Sequence, residues 1–419
     1  MYRALLFLSL VYSILSGCVP AGSISNQNFS PDYHEDGKYF HTDFTVFHFS
    51  PDSSRLFIRV NTSEFLFAKQ EEDTFRAAFE VRLRILESYE SPVVKVNFSQ
   101  AFNINKTLEG AGKRIYSVNF PQPPAGQYIM ECTITDLHKR VSDQNYVNLD
   151  NSSPQSRQNF FFHRENGIPY FTNYLSSTDT FNVDYRNEKP QVVIVKYYNR
   201  EFELAAPPYS FHVPSQFNYN PDSVFTITTG LNNRLVFEKE GIYHLQLDTS
   251  NREGATIFRF PDGFPAITTP GALIAPLRYI SSRKEFEEIK SATNKKQASD
   301  RFWLDIGSNQ ERSRQLIKKY YSRVEKANHI FTSYTEGWRT DRGMIYIIFG
   351  SPHAVYKSSN SESWTYGEAN SSLSVTFNFT RENNPFTDND FILERAPLYE
   401  TTWYHGVETW RQGRVYNDF

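Results

Sequence analysis

At Pro270 the apolar residues of this chain change their period, from every second position before it to every third or fourth after it. That switch divides the 419 residues into a β-rich part and a helix-containing part. The clearest strand covers residues 75–85. Phe75, Ala77, Phe79, Val81, Leu83 and Ile85 fall on one face, and Arg76, Glu80, Arg82 and Arg84 on the other. Further strands are predicted at 55–60, 93–98, 114–120, 127–136 and 146–149, each bounded by Pro, Gly or Asn. Short strands at this spacing predict a β-sandwich over residues 40–150.

A second unit, residues 157–268, repeats the plan. Gly126 and Tyr128 precede one alternating strand, and Gly241 and Tyr243 precede another. At the same spacing, residues 44–49 fall on 159–164 and residues 75–86 on the β-branched run 190–201, as a duplicated sandwich requires. Gly-x-Tyr ahead of a late strand resembles the tyrosine corner of immunoglobulin-like domains, although the cysteines of their disulfide are missing. The expected fold class is a multidomain, β-rich chain: two immunoglobulin-like β-sandwiches, then an α+β domain over residues 271–419.

In that last domain Ser282 with Glu285, and Ser308 with Glu311, read as capping boxes that open helices. Leu316, Tyr320, Val324, Ala327 and Phe331 make an apolar stripe down the second helix. Arg312, Arg314, Lys318, Lys319, Arg323 and Lys326 lie mostly off it, as a solvated face does. Gly337-Trp338-Arg339-Thr340-Asp341-Arg342-Gly343 then reads as a helix stop and tight turn, followed by a buried strand over 344–349 that ends at Gly350 and Pro352.

The N-terminus reads as a processed export signal. Arg3 supplies a positive charge, residues 4–15 are apolar but too short to span a bilayer, and Leu15-Ser16-Gly17-Cys18 looks like a bacterial lipobox. Residues 1–17 are then a lipoprotein signal peptide, and Cys18 is the acylated mature N-terminus that holds the protein to a membrane. Cys132 is then the only cysteine left, so no disulfide can form within the chain. Residues 18–39 are polar and read as a flexible tether. No Asp follows Cys18 and no acidic cluster comes after it. The expected location is therefore the outer membrane, with the periplasmic face preferred over the cell surface.

Gly337, Trp338, Thr340 and Asp341 match the pentapeptide of the GWxTD-domain lipoproteins, found mainly in Bacteroidota and related bacteria, and the chain resembles that family. The likeness extends upstream to residues 320–328 and downstream through Gly350, Pro352, Trp364 and Tyr366. It implies location and fold, and brings no reaction assignable to particular residues. Gly337, Trp338, Thr340, Asp341 and Gly343 are accordingly expected to be structural.

Lys and Arg number 44 against 47 Asp and Glu, a balance that does not ask for nucleic acid. Glu336, Asp341 and His353 can in principle supply an acid, a base and an imidazole, but a capped turn and a loop account for them, and one turn and one loop do not make a site without a placed nucleophile or metal. His34, Asp36 and His41 carry metal-binding side chains without a recognisable ligand spacing. Gly110 and Gly112 read as a turn between strands. Asp222-Ser223-Val224 is similar to a short O-glycosylation motif and reads equally as a strand entry. We therefore expect no catalytic residue, metal or cofactor. Aromatic residues make up 16% of the chain, and such side chains also stock interaction surfaces. Trp403, Tyr404 and Trp410, in an aromatic C-terminus, are candidate partner-binding residues, although docking of that terminus on its own domain is the preferred reading, since a free aromatic tail invites aggregation. The expected function is a scaffold or accessory subunit among envelope proteins; the alternative is a lipoprotein that binds or hydrolyses glycans.

Overall fold

A computed structural model describes residues 23–34, 37–71, 74–106, 112–186, 189–211, 216–230, 234–368 and 374–416. The signal peptide, Cys18, Asp36 and Gly110 lie outside these residues. No helix among the described residues is long and apolar enough to cross a membrane.

The first unit contains β1 (Asp43–Phe47), β2 (Ser53–Asn61), β3 (Ala68–Lys69), β4 (Phe75–Leu86), β5 (Val94–Asn105), β6 (Lys113–Pro121), β7 (Gln127–Asp136) and β8 (Val141–Asp150). They form two antiparallel sheets, β1-β2-β6 and β3-β4-β7-β8, with β5 added on β4. Leu56, Ile58 and Val118 from one sheet meet Phe79, Val81, Leu83 and Met130 from the other in a single core. The alternation of β4 is what makes this possible: Ala77, Phe79, Val81, Leu83 and Ile85 are all buried, and each large apolar side chain so placed contributes about 1.5–3 kcal/mol. Cys132 lies in the same core, where burial pushes its thiol well above the usual range.

The second unit has β9 (Phe160–His163), β10 (Asn182–Tyr185), β11 (Val192–Tyr198), β12 (Ser223–Thr228), β13 (Gly241–Gln246) and β14 (Ala255–Arg259). The pair β9-β10 packs on the sheet β12-β11-β13-β14, whose order repeats that of β5-β4-β7-β8. The two tyrosine corners are superposable in their bonding: Tyr128 Oη donates to Pro124 O at 2.8 Å and Tyr243 Oη to Lys239 O at 3.0 Å. The repeat spacing taken from those corners fails in the neighbouring strand. It carries Phe79 and Val81 onto Ile194 and Lys196, yet the buried residues are Val193 and Val195. Ile85 pairs with Met130 while Val195 pairs with Leu245. An odd number of residues has been lost between the strands, and an odd shift exchanges the two faces.

In the third unit come α1 (Pro270–Ile274), α2 (Arg283–Ser291), α3 (Lys295–Gly307), α4 (Gln310–Phe331) and α5 (Asp341–Phe349). The sheet β15 (Ala354–Lys357), β16 (Ser361–Tyr366), β17 (Val375–Arg381), β18 (Phe391–Leu393) follows, and α6 (Glu400–Arg411) closes the chain. The capping box at Ser282 forms, with Glu285 Oε2 accepting from Ser282 N at 2.7 Å. The one expected at Ser308 does not. Ser308 adopts φ 62° as the C-cap of α3, so the cap of α4 passes to Asn309, whose Oδ1 accepts from Arg312 N at 2.9 Å. Arg323 also leaves its expected solvated face: it is buried and donates to Ile347 O, Ile348 O and Tyr416 O. Those bonds satisfy carbonyls at the end of α5, where a cation is favoured.

Two larger expectations are corrected. Residues 344–349 are helix, as the second half of α5, and every residue of α5 is buried. A short apolar run enclosed on all sides has no polar face, so its period cannot tell strand from helix. The tether reading of 18–39 fails from Ser23 onward, where short 3-10 turns at Ile24–Asn26 and Ser30–Tyr33 bury Ile24, Phe29 and Tyr33 in the core of the third unit. Asn28 and Phe29 bond to both the N–H and the carbonyl of Val355 on the free edge of β15. Tyr33 stacks on Phe331 at 5.8 Å, touches Trp364 and donates to Glu362 Oε2 at 3.3 Å. Three apolar side chains scattered among polar ones carry no periodic signal, yet each fills a hole prepared elsewhere.

This strap should be a stability element. Tyr33→Ala is expected to destabilise the protein by about 3–5 kcal/mol in urea unfolding, as for other large buried aromatics; a loss no greater than that of an exposed Tyr39→Ala change would return the segment to the status of a tether. A pH prediction follows from two buried histidines. His48 bonds Ser54 and Asp150 O, His244 bonds Thr256 and Arg252 O, and burial lowers both to about 4. Unfolded, each protonates near 6.5, so between 6.5 and 4 the unfolded chain binds more protons and stability falls as pH falls. Each accounts for up to about 3 kcal/mol, and His48→Gln with His244→Gln should flatten the pH dependence of urea midpoints in that window.

Candidate functional site

The GWxTD segment is a point where three backbones cross at minimal distance. Gly337 lies against α4: a Cβ there would sit 2.0 Å from Ala327 O, and one on Gly343 would sit 1.9 Å from Gly337 O. Both glycines are required by this approach rather than by a turn. Thr340 caps α5, its Oγ1 accepting from Gly343 N at 3.1 Å while donating to Gly337 O at 2.8 Å. Trp338 N donates to Asn328 Oδ1 at 3.1 Å, and Trp338 O accepts from Tyr279 Oη at 3.1 Å. Its buried ring covers the junction under the Arg339 guanidinium.

Asp341 fastens the far sheet to this crossing. Its carboxylate accepts from Leu393 N at 2.8 Å and pairs through both oxygens with Arg395, which also donates to Ala206 O. The next residue, Arg342, pairs with Glu362 at 3.1 Å and lies 4.1 Å over the Phe391 ring. Burial alone would raise the Glu362 carboxyl, but Arg342, Lys357 and the Trp364 indole hold it below the usual carboxylate range. Glu336, Asp341 and His353 do not share a site: Glu336 pairs with Arg339, Asp341 with Arg395, and His353 Nδ1 accepts from Gly367 N. His34 bonds Pro352 O and His41 bonds Glu64, so these too have separate partners.

The sequence did not mark the loop 382–390 between β17 and β18, which reaches into its neighbours. Phe386 plugs an aromatic socket of the second unit, with ring centroids 5.4 Å from Tyr198, 4.9 Å from Phe217 and 5.2 Å from His244. Asp388 accepts from Arg157 at 2.8 Å and from Asn148 of β8 at 2.9 Å. Burial works against that carboxylate, yet Arg157, Asn148 and Arg381 bring it down to about 2. Asn389 donates to Ile330 O and Thr332 O at the end of α4. A lone Phe in a polar Asn-Pro loop was the available signal. Above the loop the three units enclose a cleft of about 860 Å³, lined by Tyr128, Asn148, Arg157, Tyr219, Arg252, Arg381 and Glu382 among others. Arg252 lies 3.9 Å over the Tyr219 ring. These are groups that hydrogen-bond and stack; neither histidine nor cysteine is among the lining residues.

The C-terminal aromatics divide. Trp403 and Trp410 are buried, Trp410 Nε1 donating to Ile348 O at 3.0 Å, so the terminus docks on its own domain and these two are not open to a partner. A helix with Gly406 facing Ile348 and Phe349 can approach α5 closely, and that contact consumes both indoles. Tyr404 remains 54% exposed and bonds Tyr209 Oη at 3.0 Å.

Fold and crossing define a β-rich, multi-unit protein whose last unit is an α+β domain organised on a Gly-Trp-x-Thr-Asp junction. Residues 241–412 match the family model of the GWxTD domain, so this part of the chain is a GWxTD domain. The match begins at β13, so it takes in the last hairpin of the second sheet as well as the helices. No curated protein matches the chain.

If Asp341 is the fastener of β18, Asp341→Ala should cost about 3–5 kcal/mol in equilibrium unfolding, because it leaves the buried Arg395 charge unpaired. The double change Asp341→Ala with Arg395→Met should recover part of that loss, whereas additive losses would show that the pair acts independently.

Proposed function

We propose that the protein is an outer-membrane lipoprotein, acylated at Cys18 and facing the periplasm, that serves as a non-catalytic scaffold or accessory subunit of an envelope complex. The loop 382–390 carries this reading. It spends its aromatic and charged side chains on joining three units into one composite surface. The two β units are read as immunoglobulin-like modules on the strength of their matched tyrosine corners. β5 and β12 are edge strands, and Val224 on β12 is 55% exposed; a free edge accepts a partner strand through main-chain hydrogen bonds. The role needs no cofactor and no nucleic acid.

A second reading, binding of a glycan, is favoured by the cleft, whose arginines and amide side chains suit an extended polar ligand. Purification of the native protein in mild detergent separates the two. The scaffold reading expects an acyl-bearing Cys18 peptide by mass spectrometry and an envelope protein that co-purifies with wild type and is lost with Val224→Lys. A chain recovered alone, with glycan affinity abolished by Tyr219→Ala, overturns it in favour of the cleft.

A further inference from the structure

The described chain starts at Ser23, and that residue is pinned to a particular place. Ser23 Oγ and Ser25 N both donate to Tyr89 O at 2.9 Å. Tyr89 belongs to the tip of the β4–β5 hairpin, closed by Glu87 N donating to Val93 O at 3.0 Å. Only residues 19–22 lie between Ser23 and Cys18, and five fully extended Cα–Cα steps reach about 17 Å at most. The same tip presents Pro92, Val93 and Val94 to solvent, with Val93 44% and Val94 36% exposed. Its two exposed carboxylates are both partnered, Glu87 with Lys95 at 3.0 Å and Glu90 with Ser359 at 2.7 Å.

We propose that the β4–β5 hairpin tip, residues 87–94, lies in the headgroup layer of the membrane that holds the Cys18 acyl chains. The proposal rests on the acylation read under Proposed function and deepens it. The acyl chains supply the attachment, and the embedded strap removes the slack that would let the body turn away. The tip would meet the lipid through Pro92, Val93 and Val94, and apolar surface so placed is favoured at the headgroup boundary. The strap also inserts between the first and third units, bonding Tyr89 on one side and Val355 on the other. Both units are therefore held at a set height above the lipid.

Single cysteines read this orientation directly, since Cys18 is acylated and the buried Cys132 thiol does not label. Position 93 tests the tip. Position 137, 44% exposed, is the control: Leu137 N bonds Ala78 O, about 26 Å along β4 from Leu86. The acylated full chain, carrying Val93→Cys or Leu137→Cys with an environment-sensitive fluorophore, is placed on phosphatidylethanolamine–phosphatidylglycerol vesicles containing headgroup nitroxide lipid. The expected result is a blue shift and strong quenching at 93, with neither at 137. A chain that bears no acyl group and stays off the vesicles overturns the anchor reading and the orientation together. An acylated, vesicle-bound chain quenched alike at both positions overturns the orientation alone.

Discussion

The approach of Gly343 to the Gly337 carbonyl is the contact on which the third unit depends. With a Cβ at either glycine 2.0 Å or less from a carbonyl oxygen, α4 and α5 can lie against each other only because hydrogen occupies those positions. Closeness has a cost, since the backbone groups it excludes from water must be satisfied locally. Thr340, Asn328 and Tyr279 do this at the start of α5, and Arg323 at its end. The pentapeptide is thus a packing device. Its residues are consumed by one another.

A helix buried on every side must also be approached from every side, and this explains the long reach of its neighbours. The strap from the N-terminus, the sheet β15-β18 and α6 from the C-terminus all close on α5 or its flank. Charge follows the same logic. Asp341 with Arg395 and Arg342 with Glu362 pair across elements far apart in sequence, and buried pairs of this kind fix register more than they add stability.

Much of the fold was legible in the sequence. The alternation of β4 from Ala77 to Ile85, the stripe of α4 and the Ser282 cap each follow from local spacing, and those side chains lie where the period directs them. The misreadings have a common cause. Residues 344–349 and the strap are placed by what surrounds them, and a run or a lone aromatic has no period to declare its environment. The cap at Ser308 and the inner face of β11 failed for smaller reasons, a left-handed residue in one case and an odd deletion in the other.

The sequence by itself determined the order of the β-rich and helical parts, the duplicated tyrosine corners and the identity of the GWxTD junction, because these depend on contacts between residues near in the chain or on a motif of fixed spacing. Only the tertiary structure decided that residues 23–34 brace two units, that Phe386 and Asp388 join three, and that the C-terminal tryptophans face inward. Those contacts pair residues distant in the chain, 62 positions for Trp410 and Ile348 and 327 for Asn28 and Val355, and their strength comes from shape and desolvation at a meeting place that no single segment contains.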